Sequence, residues 1–125
     1  MGLVPQAQVP DLLATMDVVL VPYEDIPGFY FSPLKVLESM SMGRPTVAAA
    51  IGDIPGIILG ERTGLLVPPG DAQALAAAAE RLLKEPQLAT QLGDAAREQA
   101  VRYHDWRGVA QSIAERARAA REATR

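Results

Sequence analysis

Four consecutive apolar residues, Val18-Val19-Leu20-Val21, stand between Asp17 and Pro22, and a second run, Thr46-Val47-Ala48-Ala49-Ala50, follows one helix-length segment later. Runs of this kind, rich in β-branched residues and lacking polar alternation, read as strands buried on both faces, the pattern of a parallel sheet. A sheet of that sort needs helices on both sides, so this feature directs the chain toward βαβ units. The segment between the runs reads as the crossover helix. It opens at Ser32-Pro33, where serine caps free amides and proline occupies the first helical position, and it runs to about Met42. Gly43 supplies a left-handed stop and Pro45 follows it.

The other elements follow by the same rules. Val9 to Met16 reads as a short helix with Leu12, Leu13 and Met16 on one face, and Leu65-Leu66-Val67 as a third strand. One helical turn is expected around Ile57–Leu59. Three helices close the chain. Asp71 caps the first, with Leu75, Leu82 and Leu83 inward; Pro86 opens the second; Asp105 caps the third, with Trp106, Val109, Ala110, Ile113 and Ala117 on its inner face. Met1-Gly2-Leu3-Val4-Pro5 reads as the end of a strand, which makes the chain look like one that begins inside a fold.

Composition excludes several classes. The 125 residues contain 21 alanines, so much of the 49% apolar content is helix filler rather than bulk. Charged residues are 22% and the net charge is −3, which argues against wholesale disorder and against a nucleic-acid partner held by bulk charge. There is no cysteine and one histidine, which removes disulfide scaffolds, thiolate zinc sites and a cysteine nucleophile. No run of about 18 apolar residues marks a membrane span, and no basic start followed by an apolar stretch marks a signal peptide. The expectation is a soluble cytoplasmic chain, with peripheral membrane contact as the alternative. Basic residues concentrate beyond residue 79, which fits solvated faces of amphipathic helices.

The stretch that carries chemistry is Ser32-Pro33-Leu34-Lys35-Val36-Leu37-Glu38. A helix N-terminus presents unpaired amides and the positive end of the dipole. Phe31, Ser32, Leu34 and Lys35 can offer amides here, with the Ser32 hydroxyl and the Lys35 charge added, which makes a phosphate cradle. Glu38 lies one turn further in and leans back toward that end, where a carboxylate can accept bonds from ribose hydroxyls. The bland alternative is an ordinary capped helix in which Lys35 and Glu38 form a surface ion pair.

Residues 29–48, Phe29-Tyr30-Phe31-Ser32-Pro33-Leu34-Lys35-Val36-Leu37-Glu38 through Gly43-Arg44-Pro45-Thr46-Val47-Ala48, resemble the signature of retaining glycosyltransferases of the family 4 type, with a GT-B fold. Gly52-Asp53-Ile54-Pro55 and Thr63-Gly64-Leu65-Leu66-Val67-Pro68-Pro69-Gly70-Asp71 resemble the next segments of that family. The resemblance implies an α/β, partial Rossmann-like three-layer fold: a GT-B C-terminal half with a short parallel sheet of about three strands and C-terminal helices. It implies one truncated nucleotide-sugar-binding domain over residues 1–125. Donor contacts would come from Tyr30, Phe31, Ser32, Leu34, Lys35 and Glu38, with Glu38 on the ribose. The family's paired glutamate falls on Tyr30, and its Pro-Glu reads Pro55-Gly56, so two carboxylates are replaced. Leu3 and Val4 are candidates to touch the base.

What is implied is part of an enzyme that moves a sugar from a nucleoside diphosphate sugar to an acceptor with retention, using no cofactor and no metal. The family's acceptor half and its basic diphosphate-gripping loop are not in these residues, so the isolated chain is expected to be inactive and to need a partner half. The alternative is a free-standing, non-catalytic nucleotide-binding or self-association module. A flavodoxin-like or receiver domain fits less well, because its site would follow a first strand that here reads Gly2-Leu3-Val4-Pro5. The strand at Val18–Val21 would lack its neighbour, and an apolar edge of that kind predicts a homo-oligomer. His104 reads as structural or solvent-facing, Trp106 as a packing anchor and Asp71 as a helix cap.

Overall fold

The computed structural model describes residues 3–28 and 32–124. A 3-10 turn at Gln6–Gln8 leads into α1 (Val9–Ala14), followed by β1 (Val19–Val21), α2 (Leu34–Ser41), β2 (Thr46–Ala49), α3 (Ile54–Ile57), β3 (Leu65–Val67), α4 (Ala72–Lys84), α5 (Pro86–Tyr103) and α6 (Trp106–Ala123). The three strands form one parallel sheet in the order β1-β2-β3. Val19 faces Thr46 and Val21 faces Ala48 across the first pairing; Val47 faces Leu65 and Ala49 faces Val67 across the second. Both crossovers carry a helix, as parallel neighbours require.

Alternation along the strands divides the core into two. Val19, Val21 and Ala48 point to one face, where Val36 and Met40 of α2, Ile54 and Ile57 of α3, and Ala96 and Ala100 of α5 join them. Val47, Leu65 and Val67 point to the other, against Leu82 of α4 and Ala89 and Leu92 of α5. The result is three layers, with α5 contributing to both cores.

The α2 stop follows the glycine rule. Gly43 has φ 65°, its N–H donates to the Met40 carbonyl at 2.9 Å, and the Arg44 N–H donates to the Ser39 carbonyl at 2.9 Å. This is a Schellman ending, which satisfies carbonyls that the helix leaves open. Gly93 of α5 admits a close crossing at this ending: a Cβ built on it would lie 2.3 Å from the Gly43 carbonyl oxygen. A buried hydroxyl pair, Ser39 and Thr46 at 2.8 Å, ties α2 to β2. Asp71 and Asp105 cap α4 and α6, accepting from the Ala74 and Gly108 amides.

Several expectations are corrected. β1 is not buried on both faces: Leu20 is 45% exposed, because β1 is an edge strand and α4 covers the β2–β3 side of the sheet. Leu3–Pro5 form no strand, and Met1 and Gly2 lie outside the described residues. The turn expected at Ile57–Leu59 starts three residues earlier, at Ile54. Leu83 is exposed, because Leu75, Ala78 and Leu82 share the inner stripe of α4 and a residue next to Leu82 points about 100° away. Trp106 is 89% exposed and Ile113 is exposed as well; no described residue of α6 is buried. Of the stripe expected on α6, Val109 is half-buried where the helix meets α5, while Trp106, Ala110, Ile113 and Ala117 are exposed.

Candidate functional site

The carboxyl ends of the parallel strands define the rim where α/β folds place ligands, and α2 begins at that rim. Its cap differs from the sequence expectation. The helix starts at Leu34 with Pro33 in the cap position, at φ −76° and ψ 25°, and no side chain caps it. Ser32 therefore stands one residue too early to bond the helix amides. The Leu37 N–H already donates to the Pro33 carbonyl at 3.1 Å. The amides that the helix start leaves open are those of Leu34, Lys35 and Val36, and Val36 is buried. Tyr30 and Phe31 lie outside the described residues.

Ser32, Leu34 and Lys35 are exposed at this end, and Glu38 is half-buried one turn in. The described ion pairs, Arg81–Glu61, Arg81–Glu85 and Lys84–Glu80, all involve α4. Among the described residues, no ion pair joins Lys35 to Glu38, so neither charge is engaged by the other. Glu61 holds Arg81 through two contacts at 2.9 and 3.0 Å and, by hydrogen bond and charge, raises the guanidinium pKa above its ordinary value.

Glu38 lines a groove of about 350 Å³ between α1 and α2. Val9, Pro10 and Leu13 form the α1 wall, Leu34 and Leu37 the α2 wall, and His104 and Trp106 the far end. A largely apolar cleft with one carboxylate a turn inside a helix can hold a flat or alicyclic group while the carboxylate accepts from hydroxyls. The α1 wall was missed by sequence reasoning, which reads Val9, Pro10 and Leu13 only as parts of a short helix with Leu12, Leu13 and Met16 on one face. His104 sits half-buried at the junction of this groove and a second one beside α3 and α5. No group of three or more potential metal-ligating residues occurs among the described residues.

Comparison with known proteins gives this rim its family context. A family profile described as "Glycosyl transferases group 1" matches residues 1–85. The sulfoquinovosyl transferase of Arabidopsis thaliana is 41% identical over 83 residues, covering 64% of this chain and 16% of that protein. The MMP alpha-(1->4)-mannosyltransferase of Mycolicibacterium hassiacum is 36% identical over 102 residues, covering 79% of this chain and 23% of that protein. Among solved structures, sucrose-phosphate synthase from Thermosynechococcus elongatus superposes with TM-score 0.80 at 32% identity over 98% of this chain and 30% of its own. HepE of Anabaena in complex with UDP-glucose superposes with TM-score 0.78 at 26% identity, over 91% of this chain and 30% of its own. The chain belongs to the glycosyl transferases group 1 family, and its three-stranded sheet and helices match the Rossmann-like fold of GT-B enzymes. It spans under a third of the length of these relatives. No helix among the described residues is long and apolar enough to cross a membrane.

Proposed function

We propose that this chain is the donor side of a retaining glycosyltransferase, binding a nucleoside diphosphate sugar at the rim where α2 begins. The observation that carries the reading is Glu38, half-buried and unpaired with Lys35, in a groove beside open helix amides. The likeness to HepE, solved with UDP and with UDP-glucose, supports it. Glu38 accepts from the ribose hydroxyls. The amides of Leu34 and Lys35 and the Lys35 ammonium face the diphosphate, with Ser32, Tyr30 and Phe31 completing the donor contacts.

In the complete enzyme an acceptor-binding half supplies the other wall of the cleft. The acceptor hydroxyl attacks the anomeric carbon from the side of the leaving phosphate as the sugar–phosphate bond breaks. The nucleoside diphosphate leaves with the bonding electron pair and takes up the acceptor proton. No side chain forms a bond to the sugar, and the reaction draws on no resident cofactor. Positioning and exclusion of water need both walls, so the isolated chain is inactive. The setting is the cytoplasm.

Calorimetric titration of the chain with UDP, GDP and ADP tests the reading. At least one should bind, and Glu38→Ala should weaken it about tenfold or more, as expected for loss of hydrogen bonds to a charged group. Absence of binding by all three at millimolar concentration sinks it.

Leu20 favours a second, compatible reading, self-association through the β1 edge. Its exposed side chain lies on a strand that, among the described residues, is paired on one side only, the kind of edge that recruits another chain.

A further inference from the structure

We propose that Arg44 is a positioning residue for the Glu38 groove, holding the α1 wall at its distance from α2. The proposal rests on the nucleotide reading of that groove. α1 is six residues long, and neither it nor the 3-10 turn before it contains a buried residue. Leu13, with Met16 just beyond, is partly buried against the first core, and Val9 and Leu12 are no more than half-buried. A wall held so lightly needs a polar tether, and the Schellman ending of α2 provides one.

Arg44 is the residue after Gly43, so its direction is set by the turn that stops α2. Its Nη1 donates to the carbonyls of Ala14 and Met16, both at 3.3 Å, and its Nε donates to the Met42 carbonyl at 3.3 Å. One guanidinium thus bridges the C-terminal ends of α1 and α2. Both ends carry open carbonyls and the negative pole of a helix, where a cation is favourable. The rigid fork fixes the two ends relative to each other in a way that a lysine ammonium cannot reproduce. Arg44 does not line the groove; it acts on a ligand only through the placement of Val9, Pro10 and Leu13 opposite Leu34, Leu37 and Glu38.

The test compares wild type, Arg44→Ala and Arg44→Lys in the same chain, by UDP titration and by residue-resolved amide exchange. Arg44→Ala should weaken UDP by about fivefold or more, the lower range of coupling between linked sites. Exchange should accelerate at Thr15 and Met16, whose amides close the end of α1, while the β2 amides of Val47 and Ala48 keep their protection. Arg44→Lys should fall between the two. Unchanged UDP affinity in Arg44→Ala overturns the proposal alone. Equal acceleration across α1 and β2 also overturns it, since Arg44 would then be a general stabiliser. A wild type that binds no UDP overturns the groove reading and this proposal together.

Discussion

Gly93→Ala probes the close crossing of α5 over the end of α2. Within a helix, alanine in place of glycine ordinarily gains about 1 kcal/mol. At Gly93 the new Cβ would stand 2.3 Å from the Gly43 carbonyl oxygen and 3.1 Å from its carbon. Real Cβ contacts essentially never fall under 3.0 Å, so the two backbones must separate by about 0.7 Å. The Gly43 side cannot give way freely, because its N–H and that of Arg44 are bonded into the end of α2. Overpacking of this kind costs about 1–3 kcal/mol and more where backbone faces backbone. The steric term wins, and the net loss is about 2 kcal/mol, a fall in Tm of roughly 6–10 °C for a chain of this size. Gly56→Ala is the control: nothing lies within 4 Å of the Cβ it would add, so it should be neutral or stabilising by up to about 1 kcal/mol. Urea unfolding followed by circular dichroism reads both. A Gly93→Ala chain as stable as wild type, or more so, refutes the close crossing of α2 and α5.

Trp106→Ala should shift unfolding free energy by less than about 0.5 kcal/mol, because the ring is exposed and packs on no core; a loss of several kcal/mol in denaturant titration would show that α6 is anchored after all. Sedimentation analysis should find the wild-type chain associating with itself and Leu20→Lys shifted toward monomer, since a charge on the edge face opposes pairing; an all-monomer wild type at high concentration ends the β1-edge reading.

What the sequence disclosed was local in origin. The Gly43 stop, the Asp71 and Asp105 caps and the Pro86 start each depend on chemistry within a few residues and appear where expected, and the strand expected over Thr46–Ala50 forms over Thr46–Ala49. The start of α2 lies one residue later than the sequence suggests, because Ser32-Pro33 satisfies a capping rule that the backbone at Pro33 does not use. Leu20 and Trp106 were misjudged for another reason. Apolar periodicity reports that a face wants covering, and only the tertiary arrangement decides whether anything covers it. Glu38 was legible as a candidate from its place one turn inside a helix start. The Arg44 tether was not, because its partners lie 28 and 30 residues away and a carbonyl acceptor leaves no mark in a sequence.

The sharing of α5 between the two cores bears on how the molecule comes apart. Ala89 and Leu92 belong to the core on one face of the sheet, and Ala96 and Ala100, two turns further on, belong to the core on the other. A three-stranded sheet with separate lids could shed one face while the other stayed shut. Here one rod packs on α2, which covers one face, and on α4, which covers the other, so lifting it loosens both covers in a single event. The two sides of the small sheet are coupled through α5 and open together.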